Sequence, residues 1–386
     1  MKIIIVGTGI ASYYFASAVL KKLESVEVEA YGEEGEAYYR TRVLSLLDGK
    51  TAAGDLAIKP VIQDPRYSMH KLHVDNIDPD NKQIYTSDGK SHGYDVLVLA
   101  NGAKAARLPL PGGRSHGIFA IRTIDDVIEL SAWLDSHSGA PAVVIGGGLL
   151  GLEAASLIHE RTGREVTVME SADHLLPRQL DLASSLYLQR RLSGMGLKVL
   201  CGASTSNFLS VNDCVSGIKC DDGFLVPAST VVESVGIRPN TFLAVDAGLQ
   251  VSRGVVVDGQ LRTSAENVYA IGDVAQFNGQ VSGLAGGAMD MARTLAGVIA
   301  GEAVTYTPSA PSSMLKVAGL DVMTFGSVFE RDAQCVVNET DTSREAWFVR
   351  DGVLAGVSMI GTRAHMSAAR SSIGKAWEDV KAALLS

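Results

Sequence analysis

Lys2-Ile3-Ile4-Ile5-Val6-Gly7-Thr8-Gly9-Ile10-Ala11-Ser12 opens the chain, and Ala142-Val143-Val144-Ile145-Gly146-Gly147-Gly148-Leu149-Leu150-Gly151 repeats the pattern later on. Each is an apolar, β-branched run of the kind that forms a buried parallel strand, followed by a glycine turn and a helical stretch. That layout suits a pyrophosphate, because glycine lets the backbone approach closely and the N–H groups of the following helix face the anion. One such pattern is weak evidence. Each, however, is followed by an acidic residue at the end of the next strand, Glu33 and Glu170, which lie 21 and 19 residues beyond Ser12 and Gly151. This is close to the roughly 20-residue step to a carboxylate that accepts a ribose hydroxyl. Two dinucleotide pockets in one chain imply redox traffic. Ser12 takes the place of the third glycine in the first copy.

Composition agrees. The 386 residues are 46% hydrophobic and 20% charged, enough for two or three domains with cores of their own. A net charge of −9 and a pI near 5.4, with no cluster of lysines and arginines, argue against nucleic acid and against an anionic membrane surface. Cys201, Cys214, Cys220 and Cys335 show no Cys-x-x-Cys spacing, so neither a disulfide framework nor a metal site is expected and a reducing cytoplasm fits. The first residues have the outline of a secretory signal ending at Ala16-Ser17-Ala18. Gly7 and Gly9 stand at fingerprint spacing there, however, and cleavage would delete the first phosphate loop. No apolar stretch of about 20 residues predicts a membrane span.

Along the chain, Tyr94–Ala100 reads as a further buried strand closing on Asn101-Gly102-Ala103, and the Pro/Gly-rich link Leu108–Gly113 marks a boundary. Thr123–Trp133 predicts a helix, after which Pro141–Ile145, Glu153–Ile158 and Val166–Met169 restart the same unit. Thr230–Gly236 predicts a strand ending at Ile237-Arg238-Pro239-Asn240, a return crossover, and Asn267–Gly272 another ending at Asp273. Beyond the linker Pro308–Ser313 the runs become short and alternating: Met314–Val317, Asp321–Phe325, Ala346–Arg350 and Val353–Ile360, then a helix over Ala364–Leu385. The expected fold is α/β, with two Rossmann-like dinucleotide-binding domains and a small α+β C-terminal domain. The expected boundaries are 1–112 with 240–308 for the first domain, 113–239 for the second and 309–386 for the third.

Taken together, the two fingerprints, Leu97–Ala103, Val235–Pro239 and Val268–Asp273 resemble the two-dinucleotide flavoprotein reductases of the FAD/NAD(P)-dependent pyridine nucleotide-disulfide oxidoreductase family, over nearly the whole chain. The segment Tyr38-Tyr39-Arg40-Thr41-Arg42 is similar to one in NADH:rubredoxin oxidoreductases, and a related module opens the large subunit of NAD(P)H nitrite reductases. Asn101 stands where the family commonly has threonine, and Thr41 where proline is usual.

The resemblance implies FAD in the first pocket and NADH in the second. The cofactor-binding residues it implies are Gly7, Thr8, Gly9, Ile10, Ala11, Ser12, Glu33, Arg40, Arg42, Ala100, Asn101, Gly102, Gly146, Gly148, Gly151, Glu170, Gly236, Gly272, Asp273 and Lys316. Asp273 suits a ribityl hydroxyl, and the helix Met289–Ala300 after Gly286-Gly287-Ala288 would point its N-terminus at the flavin pyrimidine edge. Lys316 stands where related reductases place a cation near that edge, which favours the reduced flavin. Glu153 resembles the family's acid at the nicotinamide–flavin contact; its plain alternative is a surface residue on an early helical turn. Glu170 would accept the 2′-OH of NADH and repel a 2′-phosphate, unless it is a solvated helix-cap acid; Arg178 lies nearby. Arg40 and Arg42 read as flavin contacts or as ordinary surface charge. His174 and His365 read as structural or solvated, and Trp133, Trp347 and Trp377 as packing residues.

An absence matters too. The stretch Tyr38–Leu47 contains no cysteine, and no Cys-x-x-x-x-Cys follows the first helix, so dithiol chemistry is not expected. Electrons would then leave the flavin directly for a small carrier such as rubredoxin, or a ferredoxin, from a monomer or homodimer in the cytoplasm. The rival readings are an NADH oxidase, a reductase component for a ferredoxin or nitrite reductase, and a slow-turnover NADH-sensing flavoprotein. Rubredoxins are acidic and so is this chain, so encounter calls for a local basic patch, for which Arg40, Arg42, Lys104 and Arg107 are candidates.

Overall fold

Strand β1 (Lys2–Val6) is buried along almost its whole length, and Ile3, Ile4 and Ile5 expose nothing. It leads through the first glycine turn into helix α1 (Ile10–Lys22) and returns as strand β2 (Glu27–Tyr31). β1 pairs in parallel with β2 on one side, Ile3 opposite Val28, and with the strand Val96–Leu99 on the other, Ile3 opposite Val96. Val268–Ala270 and Tyr67–His70 complete a five-stranded parallel sheet. The chain order therefore reverses at β1, and the crevice beyond the carboxyl ends of β1 and Val96–Leu99 is the switch point at which open α/β sheets take ligands. α1 packs along the helix Ala285–Ile299, with Phe15, Ala16 and Val19 of one and Met291, Ala292 and Leu295 of the other all buried. Each large apolar side chain so buried contributes roughly 1.5–3 kcal/mol.

The structure is a computed structural model and describes residues 1–137, 139–310, 312–329 and 332–385. It divides into two compact units, one made of residues 1–43, 52–105 and 236–309, the other of 44–51, 106–235 and 310–386. In the first unit the chain's exit and return are zipped together: Ala103–Ala105 pairs antiparallel with Ile237–Pro239. The crossover expected at Arg238-Pro239 is thus a short ribbon.

The second unit repeats the plan. Strand β3 (Ala142–Ile145), helix α2 (Leu149–Thr162) and strand β4 (Val166–Glu170) form its βαβ core. The parallel sheet runs Leu197–Cys201, β4, β3, Thr230–Glu233, Ile118–Ala120, so the order again reverses, here between β3 and Thr230–Glu233. The expected helix near Thr123 spans Ile124–Ser136 and begins with a capping box: Thr123 Oγ1 accepts the Asp126 N–H at 3.2 Å, and the Asp126 carboxylate accepts the Thr123 N–H at 2.7 Å.

The C-terminal part of this unit is a five-stranded antiparallel sheet ordered Ser312–Val317, Leu320–Gly326, Val353–Ile360, Arg344–Arg350, Gln334–Glu339. Pro311 of the expected linker lies outside the described residues. The single helix expected over 364–385 is two, Met366–Ser372 and Trp377–Leu384. Gly374 takes φ +82°, and the chain around it bonds to the neighbouring strand: the Gly374 N–H to Leu354 O, the Leu354 N–H to Lys375 O and the Trp377 N–H to Gly352 O. Those bonds replace helical ones. Both helices cover a core around Trp347, Val357 and Met359. No helix among the described residues is long and apolar enough to cross a membrane.

Candidate functional site

Gly7 sits at the first switch point with φ +113°. A Cβ there would lie 2.3 Å from the carbonyl oxygen of Ala100 and 2.9 Å from the nitrogen of Asn101, so only glycine closes the end of β1 against the neighbouring strand. Its N–H donates to Tyr31 O at 2.7 Å, tying in the end of β2 as well. Two residues on, Gly9 is the N-cap of α1, and a Cβ there would meet nothing within 4 Å. α1 has no side-chain cap and no acidic residue in its first turn, whereas the helices after Thr123 and Asp181 are capped by those side chains. The first N–H groups of a helix have no internal partners, so α1 presents Thr8 to Ser12 around an open anion seat.

Three further expected residues converge on this crevice within the first unit. A Cβ on Gly272 (φ +74°) would meet the Ala11 methyl at 3.0 Å, which brings the turn carrying Asp273 against the first turn of α1. Asn101 and Asn240 clasp reciprocally: Asn101 Nδ2 donates to Asn240 O at 2.9 Å and Asn240 Nδ2 to Asn101 O at 2.7 Å, while the Asn240 N–H reaches Gly102 O. The first of these bonds uses the side-chain amide of asparagine at position 101. Asn101 Oδ1 is buried without a partner, an acceptor left over at the crevice. Glu33 and Arg40 stand further out. Glu33 is 72% exposed, with His73 Nδ1 at 3.5 Å, and Arg40 pairs with Glu34 at 2.6 Å over the Tyr38 ring. Sequence reasoning missed the contact between Tyr14 of α1 and Tyr39; that hydrogen bond, with burial second, pushes the Tyr14 phenol up to about 12.

The second loop is tighter. A Cβ on Gly146 (φ +110°) would lie 2.3 Å from Ser234 O, and one on Gly151 only 1.9 Å from Gly146 O. Ser12 occupies the position corresponding to Gly151 and is itself buried. Gly148 caps α2 as Gly9 caps α1, with open space at its Cα and no side-chain cap or acid in the first turn. Glu170, at the end of β4, accepts the Gly147 N–H with Oε2 at 2.7 Å and the Ala172 N–H with Oε1 at 2.8 Å. It caps no helix; it holds the glycine loop, and Leu176 N–H completes the grip on Gly147 O at 2.9 Å. The carboxylate is therefore fixed beside the loop where a dinucleotide ribose would lie.

Glu153 lies on α2 one turn before Ser156. Burial alone pushes its carboxyl up to about 7, with no cation offsetting it. The Ser156 hydroxyl accepts the Ala318 N–H at 2.6 Å and so anchors to α2 the hairpin that carries Lys316. Lys316 is exposed and stands opposite Asp321, whose carboxylate is taken by Arg363 at 2.5 Å. Gly236 has φ +101° with no atom near a would-be Cβ, and Gly102 has φ +65°.

Glu233 escaped the sequence reading. Its carboxylate, 1% exposed, accepts the Leu108 N–H at 2.8 Å and Arg107 Nε at 3.0 Å, while Arg107 Nη2 donates to Ile118 O at 2.5 Å. Burial raises its pKa against the lowering effect of those two partners. The signal was an acid inside an otherwise apolar strand. Arg107 is consequently not the free surface cation expected of it, because its guanidinium neutralises a buried charge.

Two outcomes follow. Gly9→Ala and Gly148→Ala should leave the apoprotein folded, with an unchanged melting temperature, yet weaken dinucleotide binding by roughly tenfold or more in titration calorimetry, since the added methyl fills only ligand space. Gly151→Ala should instead lower the melting temperature, because its methyl meets backbone. Glu153 has a folded pKa above its unfolded one, so its contribution to stability is fullest below about pH 4.5 and is lost as pH rises to about 7. Glu153→Gln should therefore stabilise the protein at pH 8, by an amount on the order of 3 kcal/mol at most, and much less at pH 5, as read by thermal unfolding at the two pH values.

Comparison with known proteins agrees with this geometry. The pyridine nucleotide-disulphide oxidoreductase family model matches residues 1–292. The assimilatory nitrate reductase electron transfer subunit of Bacillus subtilis is 32% identical over 93% of this chain and 47% of its own length. The rubredoxin-NAD(+) reductase of Pseudomonas putida is 30% identical over 89% and 91%. A solved ferredoxin reductase from Rhodopseudomonas palustris superposes with a TM-score of 0.89 at 26% identity, covering 98% of this chain and 96% of its own. The chain spans about half the length of the Bacillus nitrate and nitrite reductase relatives. Two glycine-closed switch points on one polypeptide, matched by that family model over three quarters of its length, make this chain a member of the pyridine nucleotide-disulphide oxidoreductase family.

Proposed function

We propose that the chain is an NADH-dependent flavoprotein oxidoreductase that passes electrons to a small redox protein. The observation that carries this is the pairing of two uncapped helix N-termini, α1 and α2, each at a switch point that only glycine can close. Gly7, Thr8, Gly9, Ile10, Ala11 and Ser12, with Ala100, Asn101, Gly102, Gly272 and Asp273, would hold FAD; Gly146, Gly148, Gly151 and Glu170 would hold NADH. FAD, when bound, would supply the means to accept the electron pair of NADH and pass it on one electron at a time. One NADH then yields NAD+, one proton and two reduced one-electron carriers.

The chain's own residues have limited tasks. The loops seat the pyrophosphates, and the Glu170 carboxylate, fixed by two backbone donors, favours the 2′-OH of NADH over a 2′-phosphate. Glu153, half-buried and titrating near neutrality, is neutral or charged according to ambient pH, and its resemblance to the family's acid would put it near the nicotinamide–flavin contact. Lys316 supplies a cation, without an ion-pair partner among the described residues, on a hairpin held by Ser156. The described free cysteines are unpaired, and none stands in the stretch Tyr38–Leu47, so no thiol relay is available there.

The carrier has the chemistry of a rubredoxin or ferredoxin, as in the relatives so named. A second reading, delivery to a nitrite- or nitrate-reducing partner, is favoured by relatives of which this chain matches about half. Mixing the FAD-loaded protein with NADH without oxygen should bleach the flavin band within seconds; a band that persists overturns the reading. Glu170→Ala should raise the KM for NADH about tenfold and narrow the preference over NADPH, measured as kcat/KM for each coenzyme.

A further inference from the structure

The basic residues that the sequence offered for an acidic partner are not equivalent. Arg107 neutralises buried Glu233 and Arg40 pairs with Glu34. Lys104 is different: in the antiparallel ribbon Ala103–Ala105 with Ile237–Pro239 it stands directly opposite Arg238, and both are exposed. Opposed residues on such a ribbon have Cβ atoms about 4.5–5.5 Å apart, and like charges there repel. Among the described residues no carboxylate forms an ion pair with either. A chain of net charge −9 has many acids that could have been placed beside them, yet the ribbon keeps two facing cations without a counter-ion.

We propose that Lys104 and Arg238 form the docking contact for the acidic face of a small electron-carrier protein. This rests on the oxidoreductase reading above and names the surface it uses. The ribbon is a firm platform, since the reciprocal Asn101–Asn240 bonds fix one end of it and the pairing register fixes the rest. It also continues directly from Asn101 and Gly102 at the first switch point, so a carrier seated on it lies a few residues along the backbone from the candidate flavin crevice. Carboxylates of the carrier supply the missing counter-charge, and the local attraction offsets the repulsion between two acidic proteins. A nucleotide phosphate is the other anion to weigh. The phosphate seats in this chain, however, are the N-termini of α1 and α2, and the ribbon has no helix N-terminus.

The test uses the full FAD-loaded chain and its K104Q/R238Q variant, with a recombinant rubredoxin and an acidic ferredoxin as carriers and menadione as an uncharged acceptor, across low to high salt. The KM for the oxidised carrier should rise roughly tenfold in the variant at low ionic strength, and its dependence on salt should flatten. The KM for NADH and the menadione rate should stay as they are, with a melting temperature no lower than the parent's. An unchanged carrier KM and salt dependence overturns the inference, and so does a rise in the KM for NADH, which would assign the pair to the nucleotide. A parent protein that reduces menadione but neither carrier overturns the carrier reading and this inference with it, whereas failure of the variant alone leaves that reading intact.

Discussion

A carbonyl oxygen 2.3 Å from the point where a side chain would begin is the constraint on which the molecule is organised, once at Gly7 against Ala100 and once at Gly146 against Ser234. Parallel strands that end this close together leave no room for any residue but glycine. The turn that results carries the chain straight into a helix whose first N–H groups have neither a capping side chain nor an acid to bind. The open end of that helix is a seat for negative charge, and its position follows from strand order rather than from any single side chain. The two copies are not identical. Gly151 leaves no room for a Cβ, whereas Ser12 carries a side chain at the corresponding position of the first copy.

Charge is then distributed locally against an acidic whole. Glu170 and Glu153 lie on neighbouring elements of one βαβ unit and have different surroundings. Two backbone N–H donors surround the Glu170 carboxylate, whereas burial without a cation carries Glu153 up to about 7. Glu233 shows a third solution, a buried carboxylate kept by an arginine and a backbone donor from the segment before Ile118–Ala120. These are separate tasks for one residue type: fixing a loop, remaining protonatable, and holding a crossover in place.

Much of this was legible in the sequence. Apolar β-branched runs ending in glycine located β1, β3, Val96–Leu99, Thr230–Glu233 and Val268–Ala270, since buried parallel strands leave an unambiguous pattern, and the helix at Thr123 was read as well. What was not legible depended on tertiary pairing. The edge strand Gln334–Glu339 is almost wholly exposed and shows no apolar alternation. The break in the last helix arises from backbone bonds to a strand twenty residues earlier, which no local propensity reports. Of the site, the glycines and Glu170 could be read from spacing. The clasp between Asn101 and Asn240, the anchoring of Ala318 by Ser156 and the neutralisation of Arg107 by Glu233 join residues more than 120 positions apart and became visible only in the fold.

The central claim is that one polypeptide holds two dinucleotides of different kind at once. Native mass spectrometry of the purified protein, taken before and after addition of NADH in excess, tests it directly. The account predicts one FAD per chain in the isolated protein and one nicotinamide dinucleotide in addition after NADH is supplied. A chain that binds only one dinucleotide, or exchanges one for the other at a common seat, would contradict it.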